Sequence, residues 1–276
     1  MKLLLLGLLV PLLSQAQSDT LLPPASGLLW NDSLYLQLPL YPAGARGGAI
    51  PARVDLSRWC PTPGDQEGQH SCVGFALANA MTILWAQKAR TSDPHRITAL
   101  CFSPAFLYNQ AKQNADCRSG AYLDRALKIA QEQGVCLLKT FPYTPDDCSR
   151  QPDTRQRKEA LRYRVDSLLR FPLGASPDSM LRWTLHALSF ENPVVVGMQI
   201  TPNFYGVVKG QEHWKPFPVG GGSEGHALVA VGYDEASKTI TLFNSHGSDW
   251  GLGGFIKMAY SDYARQVRYG VVLFNG

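Results

Sequence analysis

From Cys72 onward the apolar residues return with a helical period. Val73, Ala76, Leu77, Ala80 and Leu84 fall at i, i+3, i+4, i+7 and i+11. The spacing predicts an amphipathic helix that begins at or next to the cysteine. Ser103-Pro104 opens a second helix, with serine as N-cap and proline at the first helical position. Leu123, Ala126, Leu127 and Ala130 mark a third, stopped by Gly134. Ser176-Pro177-Asp178 caps a fourth that runs to about Phe190. The last third changes period. Val194 to Ile200, His226 to Tyr233, Lys238 to Phe243, Phe255 to Met258 and Tyr269 to Phe274 read as strands. Asp234 to Ser237 reads as a hairpin turn between two of them. A helical half followed by a strand-rich half predicts an α+β protein of two lobes, with the cleft between them as the place for a site.

Ahead of this region the pattern is broken. Pro23, Pro24, Pro39, Pro42, Gly44, Gly47, Gly48 and Pro51 interrupt any long element over residues 17–50. That stretch reads as a loose, solvent-exposed arm, with Leu34 to Leu38 able to add one edge strand. It is too short for an independent inhibitory domain, so activation by loss of a large propeptide is not expected. Further back, Lys2, the apolar run Leu3 to Leu13 and the small-x-small triplet Ser14-Gln15-Ala16 read as a secretory signal cut after Ala16. The run is too short to span a bilayer, and no later run is longer. The domain proper is then 51–276, with a helical lobe over about 51–165 and a strand-rich lobe over about 166–276.

The 45% hydrophobic and 17% charged composition of the 276 residues excludes a disordered chain. A net charge of +4 is too small to argue for nucleic-acid binding. The basic run Arg150, Arg155, Arg157, Lys158, Arg162 and Arg164 has one aromatic neighbour, Tyr163, and reads as a solvated face. An exported chain meets an oxidising compartment, and its six cysteines would allow three disulfides in 15 pairings. No Cys/His group has zinc-ligand spacing, and no cofactor is implied.

Three segments carry chemistry. Gly64 to Ala76 contains Gln66 and Cys72. A thiol at the first turn of a helix feels the positive end of the dipole, which favours thiolate. Gly225 to Tyr233 puts His226 at a strand start after the Gly220–Gly222 loop. Asn244 to Gly251 puts Asn244 at the end of the hairpin partner of that strand, within reach of the imidazole. Cys72 can then attack a carbonyl carbon while His226 pairs with the thiolate and later protonates the leaving amine. Asn244 can fix the tautomer. Gln66 and the Cys72 amide can hold the oxyanion.

Gln66-x5-Cys72, the His226 strand and Asn244-Ser245-x-Gly247-x-x-Trp250-Gly251 together resemble the papain-like cysteine peptidases, over about Pro51 to Phe274. His226 lies 154 residues after Cys72 and Asn244 lies 172 after it, close to that family's spacing. The resemblance implies a two-lobed papain-like fold, with a helical lobe and a β-barrel-like lobe around the cleft. It implies a Cys72–His226–Asn244 triad with Gln66 in the oxyanion hole. It sets His70, Gly120, Tyr122, Val196, Glu224, Gly225, Ala227, His246 and Trp250 along the substrate groove. Glu224, Tyr122, Val196 and Ala227 would border the pocket for the second residue before the cut, where Glu224 would admit a basic side chain.

The departures are specific. Gln69 replaces a cysteine that normally pairs with the Cys117 region, so that disulfide is absent and Cys117 must pair differently, with Cys148 as the first candidate, or stay free. His70 stands where the family has glycine and would narrow the groove. Val73 and His246 each replace a tryptophan, and His246 would be a smaller, titratable shield over the Asn244 hydrogen bond. The reading is a monomeric, exported, bacterial-type peptidase acting on peptide or protein, with no nucleic acid and no membrane span. The alternative is an inactive papain-fold protein that binds peptides or a protein partner in the same cleft. Acyl transfer to an amine is a third reading.

Overall fold

The computed structural model describes residues 26–42, 50–218 and 223–274. The signal segment and the Gly220–Gly222 loop lie outside them. The chain enters with the short strand β1 (Leu28–Leu29) and a one-turn helix α1 (Asp32–Tyr35), followed by β2 (Arg53–Asp55). The helical lobe then follows as α2 (Cys72–Lys88), α3 (Pro94–Ala99) and α4 (Pro104–Ala111), then β3 (Ala121–Tyr122), α5 (Leu123–Glu132) and α6 (Thr154–Ala160). The second lobe runs β4 (Ser167–Arg170), α7 (Pro177–Ser189), β5 (Val194–Ile200), β6 (Glu224–Asp234), β7 (Thr239–Phe243), β8 (Phe255–Ala259), α8 (Tyr260–Gln266) and β9 (Val267–Phe274).

The four anticipated helices are α2, α4, α5 and α7. Ser103 and Ser176 cap α4 and α7 through their side chains, and proline occupies the first turn of each. Besides α1, three short helices escaped the periodicity reading. In α6 the Asp153 and Gln156 side chains form a capping box in the middle of the basic run. Asp93-Pro94 starts α3 in the same way as the serine caps. The third, α8, has no side-chain cap.

The sheet has the order β4-β9-β5-β6-β7-β8, with β2 also on β6. The pairs within it are antiparallel, and the hairpin of β6 and β7 sets Tyr233 opposite Ile240 and Val229 opposite Phe243. The sheet interior is Val194, Val195, Val196, Val229, Val231, Val271 and Val272, all fully buried. These β-branched side chains suit a strand covered on both faces. The 17-residue α2 is apolar nearly all round, with thirteen buried residues, so it lies between the lobes and carries Cys72 to the cleft. A disulfide joins Cys117 to Cys148, and Cys60, Cys72, Cys101 and Cys136 are free and buried.

The arm departs from the sequence expectation. Asp32–Tyr35 is helix, capped by Asn31, where a strand over Leu34 to Leu38 was expected. Nor is the described part of the arm, residues 26–42, a solvent-exposed strand of chain, because Leu28, Tyr35 and Tyr41 are core residues. Tyr35 stacks on Tyr269 with centroids 4.1 Å apart, and its hydroxyl lies 3.0 Å from the Phe171 carbonyl and 2.9 Å from that of Gly270. Arg170 donates to the Leu36 and Leu38 carbonyls. The Tyr41 hydroxyl meets His186 Nδ1 at 2.8 Å. Prolines and glycines broke the periodicity, but scattered aromatic residues supplied the burial.

Candidate active site

Cys72 is the first residue of α2 and is fully buried. Its N-cap, Ser71, makes no side-chain cap and instead shares a 2.8 Å hydrogen bond with the Tyr143 hydroxyl. The first-turn amides are therefore left pointing toward the cysteine. Backbone amides of Ala227 and Val73 face the sulfur, so the thiol sits against the start of β6, one residue from His226. The loop ahead of the helix is tied to the other lobe. Gln66 N–H donates to Ser245 O at 2.8 Å, and Gly247 N–H donates to Gly64 O at 3.0 Å. This brings the buried Gln66 beside the asparagine segment, where its Oε1 accepts from the Ser245 hydroxyl at 2.6 Å. Its Nε2 donates to Gln69 O at 2.9 Å. Gln69, standing in place of a cysteine, donates its amide to Thr144 O and Pro145 O at 3.1 and 2.9 Å and so staples the loop without a disulfide.

His226 Nε2 lies 2.8 Å from Asn244 Oδ1. An acceptor oxygen there puts the proton on Nε2 and leaves Nδ1, which has no hydrogen-bond partner among the described residues, as the free base. The ring is enclosed. His246 lies 5.2 Å from it and Phe204 5.4 Å, centroid to centroid, and Trp250 packs against both. Phe204 is a residue the sequence reading missed. It sits in Thr201-Pro202-Asn203-Phe204-Tyr205, a turn after β5 with no motif. With Trp250 it supplies the aromatic cover that His246 gives only in part.

The arm fills the cleft. Leu28 and Leu29 pair in parallel with Ala121 and Tyr122. Gly27 N–H donates to Gly225 O at 3.3 Å, and Ala121 N–H donates to Gly27 O at 2.8 Å. The Leu28 N–H points at the Cys72 sulfur. The peptide over the sulfur thus presents its N–H, while its carbonyl is held by Ala121. Attack needs the reverse, a carbonyl carbon over sulfur with its oxygen at the oxyanion donors. Of the arm, it is the Ser26 carbonyl that meets Gln66 Nε2, at 3.5 Å. Gly27 is required here: a Cβ would lie 2.1 Å from the His70 carbonyl oxygen. His70 therefore narrows the groove with its backbone, and the residue lines that groove together with Glu224. Gly120 lies directly under the Gly27 carbonyl.

Strand alternation corrects two pocket assignments. Gly225 and Ala227 project from one face of β6, and Glu224 and His226 from the other. Leu28 and Trp30 lie on the first face, against Gly197 and Gly225. Gly197 pairs with Ala227 and Tyr269, so these residues line the pocket that Leu28 fills. Val196 faces the opposite side of the sheet, and Gly197 takes the place expected of it. Glu224 is not part of that pocket. It shares the His226 face, and its Oε2 accepts from the Ser26 hydroxyl at 2.5 Å and from the Tyr205 hydroxyl at 2.6 Å. Tyr122 pairs with Leu29 along the strand edge, and its ring lies under the Arg125 guanidinium.

Burial sets the charge state of this closed site. Desolvation pushes the Cys72 thiol up to about 12, against the opposing pull of the amides around it. Desolvation also drives His226 down to about 4, against the raising effects of Asn244 and Glu224. Burial thus disfavours both charged forms of the ion pair that the sequence led us to expect. The arm covers the cleft and adds to that desolvation, although its Leu28 N–H by itself favours the thiolate. Glu224 is held below its usual range by the hydroxyls of Ser26 and Tyr205 and stays ionised. Among the described residues no cluster has the make-up of a metal site, and no helix is long and apolar enough to cross a membrane.

Comparison with known proteins bears on the fold and the family. Xylellain, a cysteine protease from Xylella fastidiosa, superposes with a TM-score of 0.76 at 21% identity, over 92% of this chain and 97% of that one. A digestive procathepsin L2 of the Tenebrio molitor larval midgut superposes with a TM-score of 0.72 at 19% identity, over 94% and 81%. These likenesses establish a shared fold. The uncharacterized peptidase C1-like protein L477 of Acanthamoeba polyphaga mimivirus is 28% identical over 68% of this chain. The chain spans 62% of that relative's length. The family model for papain family cysteine proteases matches residues 50–271, and the chain belongs to that family.

Proposed function

We propose that the protein is a peptidase whose own N-terminal arm keeps it latent. Cys72 is the nucleophile, His226 the acid–base, Asn244 the group that orients the imidazole, and Gln66 with the Cys72 amide the oxyanion donors. The observation that carries this reading is the 2.8 Å His226–Asn244 bond set beside a thiol at a helix start. Once the arm leaves, water returns to the cleft. The thiol then falls and the imidazole rises, and the proton passes from sulfur to Nδ1. The thiolate attacks the peptide carbonyl, and the oxyanion forms at Gln66. The C–N bond breaks as His226 gives its proton to the leaving amine. Water, deprotonated by His226, then opens the thioester and returns the sulfur to thiolate. One oxyanion donor is worth roughly 3–4 kcal/mol of barrier. The same reading takes the chain as exported and monomeric, with no cofactor and a peptide or protein substrate.

The test is covalent trapping with a thiol-directed epoxide, followed by mass spectrometry of the full chain. In Gly27→Val the new side chain meets the His70 carbonyl and expels the plug, so a single adduct forms on Cys72. It is lost in Cys72→Ala and slowed in His226→Ala. Leu28→Asp opens the cleft by a second route. No adduct in either opened, folded variant would instead support the inactive peptide-binding reading.

A further inference from the structure

Leu28 and Leu29 lie along the Ala121–Tyr122 edge on one side of the sulfur. Ser26 lies past it, with its hydroxyl 2.5 Å from Glu224 Oε2. The leaving amine of a substrate takes its proton from His226, so the segment after the cut must lie on the histidine side. That side is walled by His246, by Tyr205 stacked on it with centroids 6.4 Å apart, and by Glu224 on the His226 face of β6. The Ser26 side chain thus occupies the place of the first residue after the scissile bond.

We infer that Glu224, held by Tyr205, selects that residue for a side chain that donates: a hydroxyl, an ammonium or a guanidinium. This rests on the peptidase reading above and gives it a substrate class. Glu224 is solvent-facing, and its carboxylate already accepts the Tyr205 hydroxyl at 2.6 Å. The Tyr205 hydroxyl is a second donor to the oxygen that the Ser26 hydroxyl meets. When Ser26 leaves, the same oxygen loses one donor and keeps a position for another. A carboxylate accepts only, so an acidic side chain placed there meets like charge and finds no donor. His70 and His226 are the titratable groups that sense the Glu224 charge, and both are disfavoured as cations by burial. Neither imidazole therefore offsets the Glu224 charge, and the fixed cation in the same groove is Arg118, on the His70 side.

The test uses the full-length Gly27→Val chain and four peptides that differ only in the residue after the cut: Lys, Ser, Leu or Asp. The expected order of kcat/KM is Lys and Ser above Leu, and Leu above Asp. Lys should exceed Asp by about fivefold or more, the size expected of a half-exposed charge contact. Glu224→Lys should invert the Lys and Asp order while the Leu peptide is still cut. Peptides cut with equal rates, or an order that survives Glu224→Lys, overturn this inference alone. Failure to cut any of the four overturns the peptidase reading with it.

Discussion

Two stretches of one arm behave differently. Asn31 to Tyr41 is built into the domain by a stacked tyrosine pair, a fully buried phenol and backbone bonds to Arg170. Asp32 adds an ion pair with Arg268 and accepts the Tyr269 hydroxyl at 2.6 Å. Ser26 to Trp30 lies instead on the cleft, held by the pairing of Leu28 and Leu29 with Ala121 and Tyr122, the Gly27–Gly225 hydrogen bond, the Ser26 contacts with Glu224 and Gln66, one buried leucine and Trp30 edge-on to Tyr269. The first stretch is structure, and the second is a plug on a fixed stem. Burying Leu28 contributes about 1.5–3 kcal/mol, small enough for the plug to be displaced while the stem stays.

Four outcomes break or sharpen this contrast. The largest belongs to the stem. Tyr35→Ala removes the stacked ring and its hydrogen bonds and should cost about 3–5 kcal/mol of stability by denaturant titration, as for other large buried aromatics. Next comes the plug. Gly27→Val should speed epoxide trapping of Cys72 by about tenfold or more while shifting global stability by under about 1 kcal/mol. A loss as large as that of Tyr35→Ala would merge the two stretches into one unit.

The third is pH. His226 is depressed from 6.5 to about 4 in the closed form, whereas the open form holds imidazolium beside thiolate, so both forms carry one proton near neutrality and the open form binds a second only where that thiolate is protonated, in acid. The closed form therefore loses stability only as pH falls through that acid range toward 4. Cys72 is raised from 9.0 to about 12, so the closed form also weakens as pH rises above 9. Protease sensitivity of the plug should be least between these limits and rise on both sides. A flat profile would mean that plug and site are uncoupled. The smallest effect is Ser26→Ala, which removes one hydrogen bond to a carboxylate. It should raise the open fraction by about fivefold, read from the same trapping rate.

Much of this was legible in the sequence. The helix at Cys72, the β6–β7 hairpin and the His226–Asn244 contact all follow from short-range periodicity and one turn. The Cys117–Cys148 bond was only one of the open possibilities, since Gln69 removes the partner that the resemblance would supply and a free Cys117 was the other. The arm was hidden because its anchors, Tyr35 and Tyr41, reach Phe171, His186, Tyr269 and Gly270, which are far away in sequence. No local pattern encodes such contacts. Glu224 was assigned to the wrong pocket because resemblance gave its position along β6 but not the face from which it projects. Phe204 and Tyr205 carry no motif and became visible only when β5 and β6 were side by side.

The central claim is that a complete thiol–imidazole pair is held uncharged by the chain's own plug. Its most direct test is the rate of Cys72 alkylation by iodoacetamide against pH, in the unsubstituted chain and in Gly27→Val. At pH 7 the unsubstituted chain should be nearly inert, while Gly27→Val reacts fast and keeps reacting into acid, as a thiolate paired with imidazolium does. Two coincident profiles, each rising only near pH 9, would contradict the account.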